Sequence, residues 1–120
     1  MLSLSDVEAA RGRIEGVVRR TPLEYSYSFS DATGADIRLK LENFQRTGAF
    51  KIRGATNRIK TLSDAEREAG VVTASAGNHA QGVALAATRS GVDAIIVMPE
   101  HAPISKVEAT ERYGGRTVLH

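Results

Sequence analysis

Residues 71–98 read VVTASAGNHAQGVALAATRSGVDAIIVM, and this stretch decides the fold. Val71-Val72-Thr73-Ala74 is a short β-branched run, read as a buried strand. Ser75-Ala76-Gly77-Asn78 is small and polar, a turn. An alanine-rich helix follows from His79 to about Arg89, and Gly91 closes it. Ala94-Ile95-Ile96-Val97-Met98 is a continuous apolar strand, and Pro99 ends it. Further on, Pro103 suits the first turn of a helix through Arg112. Gly114-Gly115 stops that helix, and Arg116-Thr117-Val118-Leu119 begins another strand. Strands alternating with helices of about a dozen residues imply βαβ units. The predicted class is α/β with a parallel sheet.

Toward the N-terminus, Ser63-Asp64-Ala65-Glu66 is a capping box opening a short helix that Gly70 ends. A helical stretch covers Ala49 to about Leu62, after a loop from Asn43 to Gly48. Ile37 to Glu42 alternates apolar and polar, the period of a strand. Thr33-Gly34 is a turn signal, and Leu23 to Ser30 reads as a loop with one short extended piece. Ser5-Asp6-Val7-Glu8 is another capping-box pattern, which predicts a helix from Asp6. Val7, Ala10, Ile14, Val17 and Val18 continue it at helical spacing, and Thr21-Pro22 stops it.

Composition narrows the function. The chain has 120 residues, 42% apolar and 25% charged, the balance of a globular protein with a core. Its net charge of +2 is small and its basic residues are scattered, which disfavours a nucleic-acid footprint. With no cysteine there is no disulfide scaffold, thiol nucleophile or thiolate metal site. The histidines His79, His101 and His120 share no ligand-like spacing, so no metal is expected. No apolar run reaches membrane-spanning length, and the N-terminus carries no export signal. The cytoplasm is the expected compartment.

Two segments are suited to chemistry. In Thr47-Gly48-Ala49-Phe50-Lys51-Ile52-Arg53, Lys51 falls in the first turn of a helix. The positive end of the helix dipole disfavours an ammonium there, and burial beside Phe50 would push the same way. A lysine kept partly neutral is a nucleophile suited to a Schiff base with a carbonyl. Taken alone, the position reads as well as a solvated surface lysine. The second segment, Ser75 to Gly82, passes from a strand into a helix through small residues. Free backbone N–H groups at a helix start form an anion site, and the carboxyl end of a parallel strand is where open α/β sheets bind ligands. The alternative is an ordinary βα turn with Asn78 as helix cap. Arg46, Arg53, Glu42 and Asn43 are candidates of lesser weight, readable as solvated surface groups.

Lys40 to Ala55, KLENFQRTGAFKIRGA, resembles the lysine motif of the fold-type II pyridoxal-phosphate enzymes. Ser75 to Gly82, SAGNHAQG, resembles their asparagine loop, and Thr21-Pro22-Leu23 matches an early Thr-Pro-Leu of that family. Within it, the chain looks most like the threonine ammonia-lyases (threonine dehydratases), from about Ser5 onward.

The resemblance implies a tryptophan-synthase-β-like, three-layer parallel-sheet fold, incomplete in this chain. It implies pyridoxal 5'-phosphate as cofactor, held by Lys51, which would later shuttle the substrate α-proton. Phe50 would pack near the cofactor ring, and Asn78 would hydrogen-bond its 3-oxygen. The turn Ser75, Ala76, Gly77, Asn78 and His79 would grip the substrate carboxylate.

The implied reaction is β-elimination of L-threonine, or of L-serine, to 2-oxobutanoate or pyruvate and ammonia, with isoleucine biosynthesis as a setting. Serine racemases of the family carry a serine at the position of Ala76 and use it as a base. An alanine there favours the lyase.

The family's phosphate loop and its partner for the pyridine nitrogen lie beyond position 120. The chain is therefore expected to be an N-terminal portion, inactive by itself. Residues 1–62 would start the cofactor domain and 63–120 a smaller mobile domain, in a homo-oligomer. The alternatives are a non-catalytic module that keeps the motifs, or a serine dehydratase or racemase of the same family.

Overall fold

The computed structural model describes residues 1–120. Helix α1 spans Leu4–Ile14. Its capping box is built on Ser3 and Asp6, two residues earlier than the Ser5–Glu8 pattern suggests. The Ser3 hydroxyl accepts from the Asp6 amide, and the Asp6 carboxylate accepts from the Ser3 amide. An aspartate can thus do the glutamate's part. These bonds hold the exposed Asp6 carboxyl below its ordinary pKa. The helix ends well before Pro22, because Gly16 takes a left-handed conformation at φ 77°.

Strand β1, Leu23–Tyr25, pairs antiparallel with β2, Arg38–Lys40, in the register Leu23↔Lys40 and Tyr25↔Arg38. Between them lies helix α2, Tyr27–Thr33, where the sequence reading has a loop. Ser26 caps it by accepting from the Phe29 amide, and Gly34 closes it in the left-handed region. The turn glycine was legible, but seven residues are too few to display a helical period. A 3-10 turn over Glu42–Phe44 leads to α3, Lys51–Lys60, and α4, Asp64–Ala69, with its Ser63–Glu66 box.

The remaining elements follow the βαβ expectation. They are β3 (Val71–Ala74), α5 (Asn78–Arg89), β4 (Ala94–Met98), α6 (Ile104–Arg112) and β5 (Arg116–Leu119). The three strands form a parallel sheet in sequential order, with Val72 beside Ile95 and Val97 beside Val118. Sequential order with right-handed crossovers brings α5 and α6 to one face, where they touch. Ala94, Ile96 and Met98 of β4 point into the core. The opposite face is open: Val72 is 70% exposed and Val118 41%, so β3 is not the buried strand its β-branched run suggests, because only one of its faces is covered by helices. The third layer of the expected architecture is thus missing.

Helix α5 is the centre of the core. Every residue from Ala80 to Ala87 is buried, because small side chains let neighbours approach on all sides. Ile52, Ala55 and Ile59 of α3 pack into the same cluster, at one helical stripe. The core therefore runs across residue 62.

Candidate active site

Lys51 is the first residue of α3, two positions later than the predicted helix start. The inward stripe of α3 is Ile52, Ala55, Thr56 and Ile59, which turns Lys51 outward. The expected burial beside Phe50 is not found: Lys51 is exposed, and Phe50 is 60% exposed. The two side chains do associate, with the Lys51 ammonium 5.2 Å from the centre of the Phe50 ring. Phe50 precedes the helix without making a side-chain cap bond.

The second segment opens α5. The Ser75 amide donates to the Val97 carbonyl at 3.0 Å, the last rung of the β3–β4 ladder. The Gly77 amide donates to the Ser75 hydroxyl at 3.2 Å. Gly77, not Asn78, is the residue before the helix, and no side chain caps it. Asn78 is the first helical residue and is exposed, so its side chain is not consumed as a cap. The backbone N–H groups of Ala76, Asn78, His79 and Ala80 have no acceptor in the protein. Ala76 is half-buried against the core cluster. His79 lines a cleft of about 460 Å³ between α3, α4, β3 and α5, together with Arg58 and Thr73. Neither Lys51 nor Asn78 lines that cleft.

The two segments meet through backbone. A Cβ at Gly82 would lie 3.2 Å from the Ile52 nitrogen and 3.2 Å from the Lys51 carbonyl carbon. Only glycine allows α5 to seat this closely on the peptide that carries Lys51. The sequence reading had used Gly82 only as part of a motif.

Two weaker candidates pair with each other. Glu42 and Arg53 form a forked ion pair, with Arg53 Nε donating to Oε2 at 2.9 Å and Nη2 to Oε1 at 2.7 Å. The Thr21 hydroxyl donates to the same Oε1 at 2.5 Å. The Arg53 guanidinium lowers the Glu42 carboxyl pKa to about 2, with help from Thr21 and against partial burial. Glu42 raises Arg53 in turn. Nothing in the sequence pairs residues eleven apart across a loop, so both read as solvated there. Arg46 is engaged as well, donating from Nε to the Val17 carbonyl at 2.7 Å.

These residues fit an aldehyde cofactor with an anionic substrate. They include an accessible primary amine on a helix start, a free amide side chain, and an uncapped row of N–H groups.

Comparison with known proteins agrees with that chemistry. A family model described as "Pyridoxal-phosphate dependent enzyme" matches residues 14–120. L-threonine ammonia-lyase of Thermotoga maritima is 54% identical over 119 residues, covering 99% of this chain and 30% of that protein. A catabolic L-threonine dehydratase of Staphylococcus aureus is 52% identical over 120 residues, covering 99% and 35%. The solved structure of maize serine racemase superposes with a TM-score of 0.89 at 46% identity, covering 98% of this chain and 36% of that one. The chain thus spans about a third of the length of these relatives. On a match that takes in both motifs and all of the parallel sheet, the chain belongs to the family of pyridoxal-phosphate dependent enzymes, with pyridoxal 5'-phosphate as the family's cofactor.

Proposed function

We propose that this chain is the N-terminal part of a lyase that removes ammonia from L-threonine, and also from L-serine, by β-elimination. The products are 2-oxobutanoate, or pyruvate, and ammonia. The observation that supports it most is the pairing of an exposed amine at the start of α3 with an uncapped helix start at α5. The names of the 54% and 52% identical relatives favour threonine as substrate.

When bound, the cofactor supplies an electron sink for the pair left at the substrate Cα. The chain's own residues supply the amine, the ring contact and the anion site. Lys51 holds the cofactor through its amine and then carries the proton at the substrate Cα. The ring of Phe50 packs beside the cofactor ring. The Asn78 side chain donates to the ring's 3-oxygen. The turn Ser75, Ala76, Gly77, Asn78 and His79 offers its free N–H groups to the substrate carboxylate, at the positive end of α5. Orientation of this kind is worth several kcal/mol, roughly, in reactions of bound partners.

Trapping tests the lysine. Borohydride reduction of the chain with pyridoxal phosphate should label Lys51 above Lys60 and Lys106, and Lys51→Ala should remove the excess. Equal labelling of all would count against the site. The reaction is tested in a chimera, with this chain in place of the matching segment of the Thermotoga relative. Ammonia and 2-oxobutanoate should form from L-threonine, and Lys51→Ala should abolish both.

Racemisation of serine is the second reading, favoured by the likeness to maize serine racemase. Ala76 argues against it, because its methyl group neither takes nor gives a proton. D-serine formed faster than ammonia by the chimera would reverse the choice.

Two further parts of the proposal concern the longer protein. Residues 1–62 begin the cofactor body and residues 63–120 the smaller mobile body; the packing of α1 on α3, with Arg13 Nε donating to the Asn57 side-chain oxygen at 2.6 Å, supports keeping α3 with the first. Homo-oligomeric assembly in the cytoplasm belongs to the same proposal, and sedimentation of the longer protein tests the assembly. For the pathway, the catabolic name of the Staphylococcus relative favours amino-acid breakdown over isoleucine biosynthesis.

A further inference from the structure

We propose that Glu42 is a positioning residue for Lys51, acting through Arg53. The inference rests on the reading of Lys51 as the cofactor lysine. Successive residues of a helix are about 100° apart around its axis. Lys51, Ile52 and Arg53 therefore divide the first turn of α3 into three directions. Ile52 is wholly buried, with Gly82 of α5 against its backbone. Arg53 is gripped by both oxygens of Glu42. Lys51 points in the remaining direction, with no hydrogen bond of its own.

The grip is specific in angle as well as distance. A forked guanidinium–carboxylate pair fixes the plane of both groups, which a single contact does not. The pair is largely shielded, at 30% and 14% side-chain exposure, so water competes little with it. Glu42 itself is held by a frame that does not include α3. The Thr21 hydroxyl donates to it. Buried Gln45 ties the same 3-10 turn to the Arg19 segment, accepting from the Arg19 amide at 2.8 Å and donating to its carbonyl at 2.9 Å.

Arg53 Nη2 reaches that carbonyl too, at 3.2 Å. By contrast, α3 begins with no side-chain cap, and at Phe50 only the backbone bond from the Arg53 amide to the Phe50 carbonyl, at 3.0 Å, closes its first turn. Rotation of that turn about its axis is set by Ile52 on one side and by Glu42 on the other. The direction of the Lys51 side chain follows from both.

The test compares the wild-type chain with Glu42→Gln, Arg53→Ala and Arg53→Lys. The first readout is the NMR shift of the Lys51 ε-methylene, which the Phe50 ring 5.2 Å from the ammonium perturbs. The second is the share of reductively trapped pyridoxal phosphate found at Lys51 against Lys60 and Lys106. Glu42→Gln and Arg53→Ala should collapse the ring-current shift and cut the Lys51 share by about fivefold, as misorientation of a reacting group does. Labelling at Lys60 and Lys106 and the methyl shift of buried Ile96 should hold, which a general loss of structure would not allow. Arg53→Lys should follow Arg53→Ala, since an ammonium cannot fork.

An unchanged Lys51 shift, or a collapsed shift with an unchanged share, overturns the proposal. If Glu42→Gln fails to fold, folded Arg53→Lys decides by the same criteria. If the wild type itself shows no preference for Lys51, the cofactor-lysine reading fails, and the Lys51 shift alone decides the role of Glu42.

Discussion

Glu42 concentrates much of what is local in this protein. Its carboxyl meets Arg53 and Thr21 at once, and the pairing moves its pKa from 4.5 to about 2. A carboxyl whose folded pKa lies below its unfolded one stabilises the fold above the unfolded value. That contribution is lost as pH falls through the folded value. The window is therefore about pH 5 down to pH 2, and the contribution is on the order of 3 kcal/mol. Urea unfolding at a series of pH values should show stability falling steeply across that window. Glu42→Gln should be less stable at pH 7 and fall less steeply over the same range, the remaining slope coming from carboxyls such as Asp6 and Glu66. A wild-type profile as flat as the variant's would remove this role from Glu42. None of this was legible in the sequence, where residue 42 ends an alternating stretch and residue 53 lies off the buried stripe of a helix. Lys51 shows the converse case. Its motif marked it, yet its exposure depends on the phase of α3, which the packing of Ile52 decides.

At the scale of elements, the α3–α5 contact carries the architecture of the site. Gly82→Ala would bring a methyl group to 3.2 Å from two backbone atoms of α3. Backbone cannot move aside as a side chain can, so the helices must part by a few tenths of an ångström. Overpacking costs about 1–3 kcal/mol, and the better helix propensity of alanine returns about 1 kcal/mol. A net loss of about 1 kcal/mol in chemical denaturation is expected, with amide shifts at Lys51 and Ile52. Gain of stability with no shift at those amides would show the contact to be slack.

The same interface holds a hydroxyl without a partner. Thr56 is wholly buried and its Oγ1 makes no hydrogen bond. Thr56→Val keeps the shape and removes the unsatisfied group, so it should raise stability by about 1 kcal/mol. Calorimetric melting of the two forms checks it. Elements with a strong period or two clear caps were read correctly, as α4 and β4 were. Helix α2 was missed because seven residues are too few to display a 3.6-residue period.

At the scale of the whole molecule, the sheet has one covered face and one open face. Val72, 70% exposed, and Val118, 41% exposed, lie on the open one. The chain spans about a third of the length of its curated relatives. The 120 residues by themselves should therefore release no ammonia from L-threonine at an enzyme's rate. Steady release by the purified chain in a coupled assay, lost in Lys51→Ala, would overturn that expectation. The family resemblance implied the same expectation at the level of sequence, since it puts the phosphate loop and the pyridine-nitrogen partner beyond position 120.

The sequence by itself determined the local elements with strong signals and the class of the sheet. Caps, turn glycines and apolar periods act over a few residues, so they are written next to one another. It also placed both motifs, because each is contiguous. Only the tertiary structure decided that Glu42 pairs with Arg53, that Gly82 bears on the Lys51 peptide, and that Lys51 and Phe50 lie exposed. Those are relations between distant segments, and they depend on the angle and depth at which helices seat. Packing of whole faces sets that angle and depth, and no run of neighbouring residues encodes it.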